Sequence, residues 1–218
     1  MTRVAVVGTA TEIGKTHCAA ELLGILRRAG RQVAARKPAQ SYEPGTGPTD
    51  AEVLAAATGE DPENVCPPQH TYPVAMAPPM AAEALGLAPP TLAGLLGAMA
   101  PPPPGCDLLA VEGAGGVRSP IAADADNVDL VAALAPERVL LVADAGLGTI
   151  NAVRLSVDAL ATVVPAASVL VLLNRYDARD DLHRRNAAWL TASGYQVRTD
   201  CGTLADDLTA VRDSSGDP

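Results

Sequence analysis

Short, almost wholly apolar runs recur along the chain, and each leads through a turn into a stretch with apolar residues at helical spacing. Residues 3–7, 32–36, 107–111, 138–143, 168–173 and 196–199 fit strands of this kind. Between them, helices are expected over residues 14–29, with Gly30 as the stop, and from an N-cap at Thr49 to about Ala57. Further helices are expected over 80–87, 91–99, 128–134, 149–163 and 180–192. Residues 61–79 are broken by prolines and read as irregular, apart from an extended piece near 71–73. Pro101 to Pro104 form a stiff surface connector, and residues 206–218 read as a polar tail that frays. Strands apolar throughout are what a parallel sheet buried on both faces requires. The expected fold is therefore α/β: a doubly wound, mostly parallel sheet with helices on both faces, of P-loop NTPase type, with residues 1–218 as one domain. Ligands in such folds sit beyond the carboxyl ends of the strands. That singles out the polar residues at strand ends: Lys37, Glu112, Asp144 and Asn174.

The first strand runs into Gly8-Thr9-Ala10-Thr11-Glu12-Ile13-Gly14-Lys15-Thr16, and a helical Ala/Leu pattern follows at once. Strand, glycine-bearing loop and helix start are the context of a phosphate-binding loop. There the backbone N–H groups face an anion, a lysine reaches the terminal phosphates and a hydroxyl ligates Mg2+. Lys15 and Thr16 fit the last two roles. The strict pattern has glycine where Thr9 stands, with Gly8 one residue early. A plain βα turn, with Gly-Lys-Thr as glycine and helix cap, is the alternative.

Composition narrows the partners. A formal charge of −9 argues against nucleic acid and against anionic membranes. Of the 16 basic residues only Lys15 and Lys37 are lysines, so both stand out as compact point charges near the loop. The chain has no Phe and one Trp, which predicts a core of small aliphatic side chains. Cys18, Cys66, Cys106 and Cys201 form no close pair, so reduced thiols are expected rather than zinc or disulfides. The start of the chain is strand-like rather than a leader, and no apolar run is long enough for a membrane span. A soluble, cytoplasmic protein is expected.

Phosphoryl transfer needs cations around the transferred group and carboxylates to hold Mg2+. Glu112 closes an apolar strand and opens a glycine-rich turn, which presents its carboxylate where a metal would lie; capping that turn is the alternative. Asp50, by itself, reads as a first-turn partner of a helix dipole. Asp124, Asp126 and Asp129 read as a solvated loop and helix start.

Five segments together resemble the dethiobiotin synthetase family. The loop Gly8 to Thr16 is similar to that family's GTDTEVGKT, and Lys37-Pro38-Ala39-Gln40-Ser41 resembles its KPVxSG. Val111-Glu112-Gly113-Ala114-Gly115-Gly116 matches VEGAGG, Gly148-Thr149-Ile150-Asn151 resembles GxINH, and Asn174 closes a strand like the Asn of ND. The resemblance implies an ATP- and Mg2+-dependent cyclo-ligase that makes dethiobiotin from 7,8-diaminopelargonic acid and CO2, by way of a carbamate and a carbamic–phosphoric anhydride. It implies catalytic roles for Lys15, Lys37, Thr11 and Ser41, and Mg2+ held by Thr16, Asp50 and Glu112. It implies nucleotide binding by Glu12, Ile13, Gly14, Lys15, Thr16, His17 and Asn174. Substrate contacts fall to Thr11, Lys37, Ser41, Gly115, Gly148, Ile150 and Asn151, the last three from the second copy in a homodimer.

Three positions and one segment depart from the family pattern. Tyr42 stands where a glycine follows the serine, Ala152 replaces a histidine, Arg175 replaces the Asp of ND, and no base-binding GxIP-type segment follows Gly202. These leave open a paralogue that binds nucleotide but acts on another amine or acid. A cobyrinate-type amide ligase usually has Ser-Gly where this loop has Thr11-Glu12. A ParA-like switch would carry a second loop lysine at the position of Ala10.

Overall fold

The computed structural model describes the backbone of residues 1–213 and the side chains of residues 1–208. In chain order the elements are β1 (Thr2–Gly8), α1 (Lys15–Arg28), β2 (Val33–Arg36), β3 (Gln40–Ser41), α2 (Asp50–Thr58), α3 (Pro62–Val65) and β4 (Thr71–Tyr72). Then follow α4 (Pro78–Ala84), α5 (Leu92–Ala98), β5 (Leu108–Glu112), β6 (Pro120–Ala122), β7 (Ala125–Asp126), α6 (Asn127–Leu134) and β8 (Arg138–Asp144). The chain continues through α7 (Thr149–Leu160), β9 (Val169–Asn174), α8 (Asp181–Ala192), β10 (Gln196–Arg198) and α9 (Cys201–Asp213).

Six strands form one parallel sheet in the order β10-β9-β8-β1-β5-β2. The order reverses at β1: the chain leaves for the β2 edge, returns through β5, then crosses to β8. Alternate residues of each strand feed two apolar layers. Ala5 and Val7 of β1, with Leu141 of β8 and Leu173 of β9, pack under α6, α7 and α8. Val4 and Val6, with Leu140 and Leu172, pack under α1, α2 and α9. This two-sided burial is why the strands read as unbroken apolar runs.

Helix boundaries follow local chemistry. Thr49 caps α2 in a capping box with Glu52, as the N-cap reading expected. Asp126 and Asp129 form the same device at α6, and Asp124 accepts from Leu92 N, so all three acids are structural. Two expectations need correction. Residues 61–79 are more regular than the prolines suggested, because Asp61 caps α3 and Pro62 sits at its first position, where its missing N–H costs nothing. The hairpin β6–β7 was not foreseen. The tail expected to fray from Asp206 is helical in α9 to Asp213, held by Leu204 and Leu208 against the α1 layer; residues 214–218 lie outside the described residues. No helix among the described residues is long and apolar enough to cross a membrane.

Candidate functional site

At the carboxyl ends of β1, β2 and β5, and against the first turn of α1, lies an open cavity of about 710 Å³. That is within the ~300–1,000 Å³ typical of small-ligand sites. The sheet register builds its floor. β2 pairs with β5 so that Arg36 lies opposite Val111, which brings the next residue, Lys37, alongside Glu112. Both are almost fully buried, at 2% and 1% exposure. Lys37 Nζ lies 2.5 Å from Glu112 Oε1 and 2.6 Å from Asp50 Oδ2. Thr16 Oγ1 is 2.8 Å from both Asp50 Oδ1 and Glu112 Oε1. One hydroxyl hydrogen can serve only one of those two oxygens at a time.

Glu112 Oε2 is buried and has no hydrogen-bond partner among the described residues. An orphaned carboxylate oxygen beside a hydroxyl and a second carboxylate is a hard-oxygen set that suits Mg2+, which is often held by one or two carboxylates and the substrate's phosphates. Thr16, Asp50 and Glu112 therefore fit such an ion, and the turn-cap reading of Glu112 gives way to a carboxylate aimed at cations.

The charges at the site are interlocked. Burial opposes the charged form of Lys37, but the carboxylates of Glu112 and Asp50 outweigh it and hold its pKa above the ordinary lysine value. Burial would raise Asp50, and the Lys37 ammonium more than offsets that, leaving its carboxyl below the usual range. Lys15 is lowered by burial and then by the Lys37 charge. Its Nζ has a carbonyl neighbour, Ala10 O at 3.2 Å. A desolvated ammonium beside a second one favours an incoming anion.

The loop over this floor is tightly wound. A Cβ on Gly8 would lie 2.8 Å from Ile13 Cγ2 and 3.0 Å from the Lys15 stem, so glycine is needed where the loop folds back over the strand end. This accounts for the glycine one residue earlier than the strict pattern. Gly14 has φ +91°, and a Cβ there would meet Asn174 Nδ2 at 2.1 Å. The first intrahelical bond of α1 is Cys18 N to Gly14 O, so the N–H groups of Lys15, Thr16 and His17 precede it. A helix N-terminus with unpaired N–H groups is suited to an anion.

Most sequence-predicted residues meet here. Thr11, Glu12, Gly14 and Gly115 join Lys15, Thr16, Lys37, Asp50 and Glu112 around the cavity. Ser41 lines it as well, with its hydroxyl donating to Met76 O, and Tyr42 forms part of the same wall. His17 points its imidazole to solvent beside Glu21, so only its backbone faces the anion end. Ile13 packs its side chain into the α1 layer. Asn174 donates from Nδ2 to Ile13 O at 2.8 Å and accepts from Arg175 N at 2.9 Å. Gly148, Ile150 and Asn151 lie apart from the cavity, at the start of α7.

Two supporting roles were not foreseen: Asn127 was not singled out, and Arg175 stood only as a departure from the family pattern. Asn127, 1% exposed, underlies the turn after Glu112: its Oδ1 accepts from Ala114 N, and its Nδ2 lies 2.7 Å from both Ala114 O and Gly116 O. Arg175 reaches back to the phosphate loop, donating to Glu12 O. An Asn in a first helical turn carries no distinguishing signal.

Comparison with known proteins gives consistent matches. The family described as an AAA domain matches residues 2–193. The ATP-dependent dethiobiotin synthetase BioD of Anaeromyxobacter dehalogenans (strain 2CP-C) is 40% identical over 179 residues, which is 81% of this chain and 78% of the relative. The enzyme of the same name from Caulobacter sp. (strain K31) is 34% identical over 218 residues, 94% of each chain. Among solved structures, a DUF1611 family protein from Anabaena variabilis aligns with a TM-score of 0.50 at 18% identity. The alignment covers 96% of this chain but 57% of that longer one, and it supports the fold alone.

Proposed function

The chain belongs to the dethiobiotin synthetase family, and from that premise we propose the residue roles by which it uses ATP, with Mg2+, to close the ureido ring of dethiobiotin on 7,8-diaminopelargonic acid and CO2. One amine takes up CO2 and loses a proton to give a carbamate. A carbamate oxygen attacks the γ-phosphorus and ADP leaves. The second amine then attacks the carbonyl carbon of the carbamic–phosphoric anhydride, and phosphate leaves with the bridging oxygen.

The observation that carries this reading is the convergence of Lys15, Lys37, Thr16, Asp50 and Glu112 on one open cavity. Carbamate and γ-phosphate are both anionic, so their approach needs fixed positive charge in a poorly hydrated site. Lys15 and Lys37 supply it. The backbone N–H groups from Glu12, Ile13 and Gly14 through Lys15, Thr16 and His17 cradle the phosphates. Thr16, Asp50 and Glu112 hold Mg2+, which when bound neutralises phosphate charge. Thr11 and Ser41 orient the carbamate over Gly115. Asn174 keeps one amide N–H and one lone pair beyond its loop contacts, and these read the adenine edge.

Gly148, Ile150 and Asn151 are not among the residues that line this cavity. In our reading a second copy presents them: the free N-terminus of the 12-residue helix α7, opened by Gly148, suits the substrate's carboxylate tail. We place the enzyme in the cytoplasm as a homodimer, in keeping with its four free, buried thiols. Isotope transfer tests the route. With oxygen-labelled bicarbonate, the attack described leaves one label in each phosphate released; unlabelled phosphate would exclude it.

A further inference from the structure

Glu12 and Arg175 both have left-handed backbones, with φ of +56° and +58°, although neither is glycine. Side chains of this kind occupy that region only where surrounding contacts enforce it. The two residues are joined: Arg175 Nη2 donates to Glu12 O at 3.3 Å. Its neighbour Asn174 donates to the next carbonyl, Ile13 O, at 2.8 Å. Consecutive side chains at the end of β9 thus take up consecutive carbonyls of the phosphate loop. The other edge of the guanidinium faces Asp144 Oδ2 at 3.4 Å, and Asp144 Oδ1 is itself fixed by Gly146 N at 2.7 Å. Asp144 and Asn174 are register partners across β8 and β9, so the anchor belongs to the sheet.

A planar trans peptide points its N–H opposite to its C=O. When the carbonyls of Glu12 and Ile13 turn toward β9, the N–H groups of Ile13 and Gly14 turn away from it, into the concave side of the loop where an anion is bound. We propose that Arg175 is a positioning residue for the nucleotide: together with Asn174 it straps the phosphate loop to the sheet and holds Glu12 left-handed, so that the anion cradle is formed before ATP arrives. Its guanidinium acts through the Glu12 peptide rather than by touching the phosphates. The inference rests on nucleotide binding at this loop and is independent of the diamine chemistry.

The test is a cycle in the full-length chain, with ADP and Mg2+ titrated calorimetrically and ATP kinetics measured in parallel. Arg175→Ala should weaken ADP about tenfold and raise KM for ATP by a similar factor, with kcat within about twofold, because a ground-state cradle is lost. Glycine adopts the left-handed conformation without enforcement. In a Glu12→Gly background the same substitution should therefore weaken ADP only about twofold. Arg175→Lys keeps the charge but not the fork, and should fall between wild type and alanine. Equal losses in both backgrounds would mean that Arg175 contacts the nucleotide directly, and full retention of affinity in Arg175→Ala would mean that no strap is needed; each overturns the proposal. Unequal losses in ADP affinity without diamine-dependent turnover would uphold the strap while removing the assigned reaction.

Discussion

Lys37 Nζ and Glu112 Oε1 lie 2.5 Å apart at the ends of neighbouring strands, both shielded from solvent. Glu112 also faces Thr16, and Lys37 also faces Asp50, so one ion pair ties the phosphate loop, the second strand and the glycine-rich turn to a common point. Breaking a buried pair leaves an uncompensated charge, which costs about 3–5 kcal/mol. Because the same lysine is assigned to screen carbamate from phosphate, its loss acts on both stability and rate.

Lys37→Ala is expected to lower kcat by about a hundredfold or more while ADP binding stays measurable. The apo melting temperature should drop, and Mg2+ with ADP should restore part of it by neutralising Glu112. Steady-state kinetics and thermal melts on the same preparation check both halves. Unchanged turnover would take Lys37 out of the catalytic set.

Glu112→Gln keeps the volume and one acceptor but removes the charge that suits a divalent ion. The Mg2+ concentration for half-maximal activity should rise about tenfold or more, and the apo melting temperature should also fall, because the buried Lys37 keeps only Asp50 as its carboxylate partner. A collapse in melting temperature with unchanged Mg2+ dependence would mark this carboxylate as structural.

Asp50 gives the site an acid limit. Its folded-state carboxyl lies below the ordinary 3.8, so the stability it contributes is present above that value and is lost as pH falls through the depressed one. Asp50→Asn should be less stable than the parent at pH 7, with the gap closing below about pH 4. Lys37 has the opposite sign: its raised value means its contribution is complete below the ordinary lysine pKa and is lost only in strong alkali. Melting temperatures of the two proteins from pH 3 to 8 decide the point; a constant gap would contradict it.

Leu204, fully buried, fastens α9 to the layer under α1. Leu204→Ala should cost about 2–5 kcal/mol, in the range for large-to-small core changes, and would be read as a lower denaturation midpoint. A negligible change would return this helix to the frayed tail that its composition suggested.

That case shows where sequence was informative. Capping at Thr49, the stop at Gly30 and the apolar strands are local signals, readable within a few residues. Lys37, Glu112 and Asn174 were legible because a parallel sheet delivers polar residues at strand ends to one edge. Helix α9 was not: Leu204, Ala205 and Leu208 are spaced correctly, but Asp206, Asp207 and a polar terminus hid them, and the helix is held mainly by packing. Strands β6 and β7 are too short to show alternation. The Arg175–Glu12 contact joins residues 163 positions apart through two left-handed backbones that neither side chain favours.

The most direct test of the whole account is phosphate release from ATP with Mg2+ and bicarbonate, with and without 7,8-diaminopelargonic acid, while dethiobiotin is followed by mass. The predicted result is release that depends on the diamine, with one cyclic urea formed for each phosphate. Nucleotide binding with no diamine-dependent release would contradict it, leaving a phosphate loop correctly read and a substrate wrongly assigned.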